Sequence, residues 1–165
     1  MGASAYLLDT NAIIEAVRTG CWAAISGGLR IETVARCEEE CLRGDHLSSG
    51  YISVTAHDLN RMTAIHQVAD NEVAALLLMP AAAALDDGER DLFAHALGRT
   101  DDSWLVCSPD RASVRLAVAL GWQDRLISLG EIARAVGVRP SPPLRSHFEA
   151  AWLSEQRTIG LLDLP

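Results

Sequence analysis

The stretch 5-AYLLDTNAII-14 decides the fold. An apolar run heads into a core, stops on Asp9, passes Thr10 and Asn11, and turns apolar again. A short strand that ends on a carboxylate and runs straight into a helix opens an α/β unit. The same order returns at 103-SWLVCSPDRASVRLA-117, where a buried-strand pattern ends at Asp110 and a helical pattern follows.

Between and beyond these stretches, short β-like runs alternate with helical ones. "LRIET" from Leu29 predicts a second strand, with Thr33 as N-cap of the acidic helix "VARCEEECLRG". "YISVT" alternates like an edge strand. From Asp58 to about Leu78 apolar residues recur at helical spacing, with a break at Asp70 and Asn71. "LDDGERDLFAHALGRT" predicts a helix capped by Asp86 or Asp87, with Phe93, Ala96 and Leu97 facing inward. "DRLIS" predicts a last strand, and Ser128 with Glu131 forms a capping box. Pro140, Pro142 and Pro143 then lead to a helix over about Leu144 to Gln156. Strands alternating with helices predict an α/β fold, three layers α/β/α around a short central parallel sheet.

At 165 residues and 49% hydrophobic content the chain suits one core. "VAALLLMPAAAAL" (73–85) is shorter than the roughly 20 residues of a membrane helix and contains Pro80, so no membrane span is expected. Asp9 and Glu15 fall where a signal peptide would be uncharged, which points to the cytoplasm. Cys21, Cys37, Cys41 and Cys107 lack zinc-ligand spacing and read as buried, reduced thiols. A net charge of −8 argues against passive binding to nucleic acid. A nucleic-acid substrate would need a cation to offset the local negative charge.

In open α/β sheets, ligands gather at the carboxyl ends of strands where strand order reverses. Asp9 and Asp110 both stand at such ends. Each alone is better explained as a helix cap; several acids converging on one cleft are not. Carboxylates without histidine or thiol partners suit Mg²⁺ or Mn²⁺, and a pair of such ions supports phosphodiester hydrolysis without a serine or cysteine nucleophile.

"YLLDTNAII", an acid in the helix after the second strand, "DDGERDLFAHAL" and "LVCSPDRASVRLA" together resemble the ordered acidic motifs of the PIN domain, the metal-dependent nuclease fold that includes the VapC-like toxins of bacterial toxin–antitoxin pairs. The resemblance covers residues 5 to about 130. It implies a nuclease domain over 1–138, followed by a Pro-rich linker and helical tail over 139–165. Asp9 matches the first acid and Asn11 its small polar companion. Gly88, Glu89 and Asp91 stand in the places of the third motif, with Asp91 as its acid, and Asp110 matches the fourth. For the second, the spacing to glycine in "ECLRG" points to Glu40, counting from Thr33 points to Glu39, and Glu38, on the helix face of Val34 and Cys41, stays a third candidate.

The resemblance implies a Mg²⁺- or Mn²⁺-dependent ribonuclease in which Asp9, Glu40, Asp91 and Asp110 hold the metal and orient water. Asn11, Glu39 and Glu89 would assist in holding the cation, and Arg111 and Arg115 would contact phosphate or simply face solvent. RNA is then the substrate and an antitoxin protein the partner of a toxin. A helix beyond the complete fold, with Phe148 and Trp152 one turn apart, is expected to dock on its own domain or make a homodimer. The alternative is a PIN module that has lost catalysis and works as a binding or scaffolding protein. A phosphatase of the haloacid-dehalogenase type needs a second aspartate where Asn11 stands.

Overall fold

The computed structural model describes residues 4–44 and 50–164. Four strands, β1 (Ala5–Leu8), β2 (Arg30–Val34), β3 (Ala64–His66) and β4 (Trp104–Cys107), form one all-parallel sheet in the order β3-β2-β1-β4. The chain steps outward from β1 through β2 to β3, then returns to place β4 on the other side of β1. Strand order therefore reverses between β1 and β4, and Asp9 and Asp110 follow those two strands.

Alternation along β1 explains the three layers. Ala5 and Leu7 join a core with helices α5 (Asp70–Leu76), α6 (Asp87–Leu97), α7 (Arg111–Ala119) and α9 (Ala150–Leu162). Leu8 faces the opposite core with α1 (Thr10–Arg18), α2 (Trp22–Gly28), α4 (Ala56–Leu59) and α8 (Leu129–Ala135). Strand side chains point alternately to the two faces, so a sheet covered on both sides reads as a continuous apolar run. The remaining helix, α3 (Ala35–Arg43), sends Cys37 into the first core and Cys41 into the second. All four cysteines are buried and unpaired. Among the described residues no helix is long and apolar enough to cross a membrane.

Several elements differ from the sequence reading. Thr33 is not the cap of α3: it lies inside β2, its hydroxyl donates to the Leu8 carbonyl at 2.6 Å, and Val34 takes the N-cap position without a side-chain bond. "YISVT" makes no strand, and its Thr55 instead forms a capping box with Asp58 at the start of α4. The region from Asp58 to Leu78 is not one broken helix: α4 ends at Leu59, β3 intervenes, and α5 begins at Asp70. "DRLIS" contributes only a single parallel bridge, Val106 to Leu126. The capping boxes of Asp86 with Glu89 and of Ser128 with Glu131 are both present.

The last helix starts later than its apolar pattern suggests, at Ala150. Phe148 sits in a 3₁₀ turn before it and is buried beside α1 and α8, while Leu153 is buried against α7 and Trp152 packs half-buried beside it. The segment thus docks on the same chain.

Candidate metal centre

The carboxyl ends of β1 and β4 are tied together before any side chain is considered. The Asp9 amide donates to the Cys107 carbonyl at 3.1 Å, which brings the two strand ends side by side. Thr33 anchors the other side of β1 through the Leu8 carbonyl. Asp9 is thereby fixed as the N-cap of α1, with Oδ1 accepting from the Ala12 amide and Oδ2 from the Ser108 hydroxyl, both at 2.8 Å. Asp110 caps α7 in the same way, accepting from the Ala112 and Ser113 amides at 2.7 and 3.3 Å.

Glu40 approaches from α3. Its carboxylate accepts from the Thr10 hydroxyl at 2.6 Å and rests against the backbone of Gly88 in the first turn of α6. A side chain at Gly88 would collide with that carboxylate. Glu89 follows in α6, 6% exposed, and accepts from the Asp86 amide within the capping box.

The electrostatics show which acids belong together. Burial first, then the charges of Asp86 and Asp110, push the Asp9 carboxyl up to about 7, against the hydrogen bonds from Ala12 and Ser108. Burial, followed by Asp110, Asp86 and Asp9, pushes Glu89 up to about 8. Burial also raises Glu40, with Asp86 adding to the shift and Thr10 opposing it. Repulsion thus links Asp9 and Glu89 to each other and to Asp86 and Asp110, and links Glu40 to Asp86.

Asp91 is not part of it. Two residues beyond Glu89 on a helix is about 200° of rotation, so the two side chains leave opposite sides of α6. Asp91 lines a separate groove with Arg36, Asp70, Asp87 and Arg90. Its carboxyl is raised by burial while Arg36 opposes the shift. Glu89 takes the place expected for Asp91. Glu39 is exposed and faces Arg36 and Arg43 at 3.9 and 3.7 Å, and Asn11 is exposed in the first turn of α1.

Three positions were not foreseen: Asp86 at the rim, and Thr10 and Ser108 as hydroxyl donors to the carboxylates. The helical pattern already carried the clue to Glu89. It falls three, four and seven positions before Leu92, Phe93 and Ala96, on the buried stripe of α6, where beyond its capping-box bond to the Asp86 amide it meets no cation among the described residues.

Four acids among the described residues are almost wholly buried, and they divide into two kinds. Glu15 and Glu32, each 1% exposed, are paired with cations: Arg18 and Arg145 for the first, Arg30 and Arg99 for the second, with the His66 ring at 2.7 Å beside them. Burial is the largest single influence and raises both carboxyls, but the hydrogen bonds and charges of Arg18 and Arg145 on Glu15, and of Arg99, His66 and Arg30 on Glu32, together outweigh it and hold both below their usual range. Asp9, 1% exposed, and Glu89 make no ion pair among the described residues. Buried charge of one sign without a counter-charge is costly unless protons or a cation neutralise it. The donor set is all oxygen, which fits a hard divalent cation. These carboxylates are more widely spread than another trio: among the described residues, only Glu32, His66 and His95 bring three ligand atoms all within 4.8 Å of one another.

Beside Asp110, exposed Arg111 and Arg115 line an open groove of about 470 Å³ with Ala81, Ala84 and Ala112. No family model matches the chain, and no curated protein or solved structure is significantly similar to it.

Proposed function

We propose that the protein is a metal-dependent ribonuclease whose cation is held by Asp9, Glu40, Glu89 and Asp110, with Asp86 at the rim. The observation that carries the reading is the contrast among the buried acids. Glu15 and Glu32 have cationic partners, whereas Asp9 and Glu89, at the point where strand order reverses, accept hydrogen bonds from neutral groups and have only other carboxylates as charged neighbours. The resemblance of the acidic motifs to PIN domains supports Mg²⁺ or Mn²⁺ as the ion, RNA as the substrate, and a toxin held by an antitoxin as the biological setting.

When bound, a cation of this class polarises the phosphodiester and makes a bound water more acidic. The chain supplies the rest. Ser108 and the Ala12 amide fix the Asp9 carboxylate, Thr10 fixes Glu40, and the first turn of α7 fixes Asp110, so the ligands are preorganised by bonds to the scaffold. Arg111 and Arg115 would receive the backbone phosphates of a strand lying in the groove beside Asp110.

The test is cleavage of mixed RNA by the wild type and by Asp9→Asn, Glu89→Gln and Asp91→Asn, each with Mn²⁺ and with EDTA. Cleavage should require Mn²⁺ and fall at least about a hundredfold in Asp9→Asn and Glu89→Gln. Asp91→Asn should stay within a few-fold of wild type. Manganese binding without cleavage of any RNA would instead make this a binding module.

A further inference from the structure

A second constellation lies away from these carboxylates. Glu32 of β2, His66 at the end of β3 and His95 of α6 bring one ligand atom each to within 4.8 Å of one another. His66 Nε2 is 2.7 Å from Glu32 Oε2, and the two imidazole rings stack with centroids 4.0 Å apart. The acceptors already converge on a positive charge. Arg99 Nη1 donates to Glu32 Oε2 at 2.8 Å and lies 3.4 Å from His95 Nε2.

We infer that Glu32, His66 and His95 form a second cation site, for a transition-metal ion such as Zn²⁺ or Co²⁺, which enters by displacing Arg99 and clamps the edge strand β3 to α6.

Two imidazoles and one carboxylate make a donor set for such ions, unlike the all-oxygen group around Asp9. The exchange leaves no charge stranded. Arg99 is also forked onto Asp101, with Nε to Oδ1 and Nη2 to Oδ2 both at 2.8 Å, so the guanidinium keeps a partner when it leaves Glu32. Arg30 Nε, 2.7 Å from Oε1, occupies the other carboxylate oxygen and leaves Oε2 for the metal.

The His66 proton that faces Glu32 would move to Nδ1, and its half-exposed ring would turn so that the stacked rings fan toward one ion. An open pocket of about 320 Å³, bordered by Arg30, Glu72 and Thr100, admits the ion and a water for the fourth position. The structural gain is in β3, a three-residue edge strand whose ladder joins only β2.

The experiment is a Co²⁺ titration of the full chain in saturating Mg²⁺, which fills the all-oxygen site with its own class of ion. The visible d–d absorption of cobalt should saturate at one equivalent. It should vanish in His95→Gln, weaken at least about tenfold in His66→Ala, persist in Asp9→Asn, and saturate about tenfold tighter in Arg99→Gln. Circular dichroism confirms that each variant is folded, and His66→Ala, at a half-exposed position, provides the second probe should His95→Gln fail to fold. No cobalt band in wild type, a band that survives in both folded histidine variants, or a band lost in Asp9→Asn would overturn the site. So would a thiolate-to-cobalt charge-transfer band, which would put the ion on cysteine. Unchanged or weaker binding in Arg99→Gln would overturn the exchange.

Discussion

Gly88 has no side chain, and that lets the Glu40 carboxylate rest against the first turn of α6. A methyl group there would meet only the far end of a flexible side chain, while alanine suits a helix better than glycine by about 0.5–1 kcal/mol. Gly88→Ala should therefore leave the metal-free melting temperature unchanged or slightly raised, yet expel Glu40 and weaken Mn²⁺ binding about tenfold or more. Thermal melts beside a Mn²⁺ titration check it; equal loss of stability and binding would mean that Gly88 matters only for packing. At this scale the sequence was partly legible. Asp9 and Asp110 stand out because a buried strand stops on each. Motif likeness singled out Asp91 over Glu89 because two acids two residues apart fit one pattern equally well, and only rotation about the helix axis separates them.

Elements were legible in proportion to their burial. β1 and β2 sit inside the sheet and β4, though at its far edge, is mostly buried, so all three read as strands, but β3 is three half-buried residues at the other edge, too short for alternation to register. The apolar residues around it matched a helix by spacing alone. The tail is the converse case: its helical pattern was plain, whereas what it packs against is a tertiary matter. Leu153, 4% exposed, enters the core shared with α7, and Gly160 lets α9 come close to Val118. Leu153→Ala should cost about 2–5 kcal/mol in urea unfolding, the range for truncating a buried leucine. A change under about 0.5 kcal/mol would show that α9 adds nothing to the stability of the sheet domain.

Across the whole molecule the buried acids set opposing pH responses. Glu15 and Glu32 are held below their usual 4.5, so their contribution is present above that value and is lost in more acidic solution. His95, uncharged in the fold down to about 4, favours the folded state increasingly as pH rises from there to its usual 6.5, and no further. Asp9 and Glu89 act the other way. Their carboxyls titrate at about 7 and about 8 in the fold against 3.8 and 4.5 ordinarily, so the folded state holds protons that the unfolded chain has released. Stability must then fall as pH rises through that interval. Between pH 6.5 and 8 the contribution of His95 is complete and Glu15 and Glu32 are fully ionised, which leaves Asp9 and Glu89 to set the slope. The metal-free melting temperature should decline across this window, and Asp9→Asn should flatten the decline. Saturating Mn²⁺ should abolish or reverse it, because a bound cation displaces the protons and stabilises the fold by mass action. Melting curves at pH 6.5, 7.25 and 8, in EDTA and in Mn²⁺, measure all three effects. A metal-free melting temperature that rises with pH would mean that Asp9 and Glu89 are ionised and neutralised within the fold, and the cluster would then have no need of a cation.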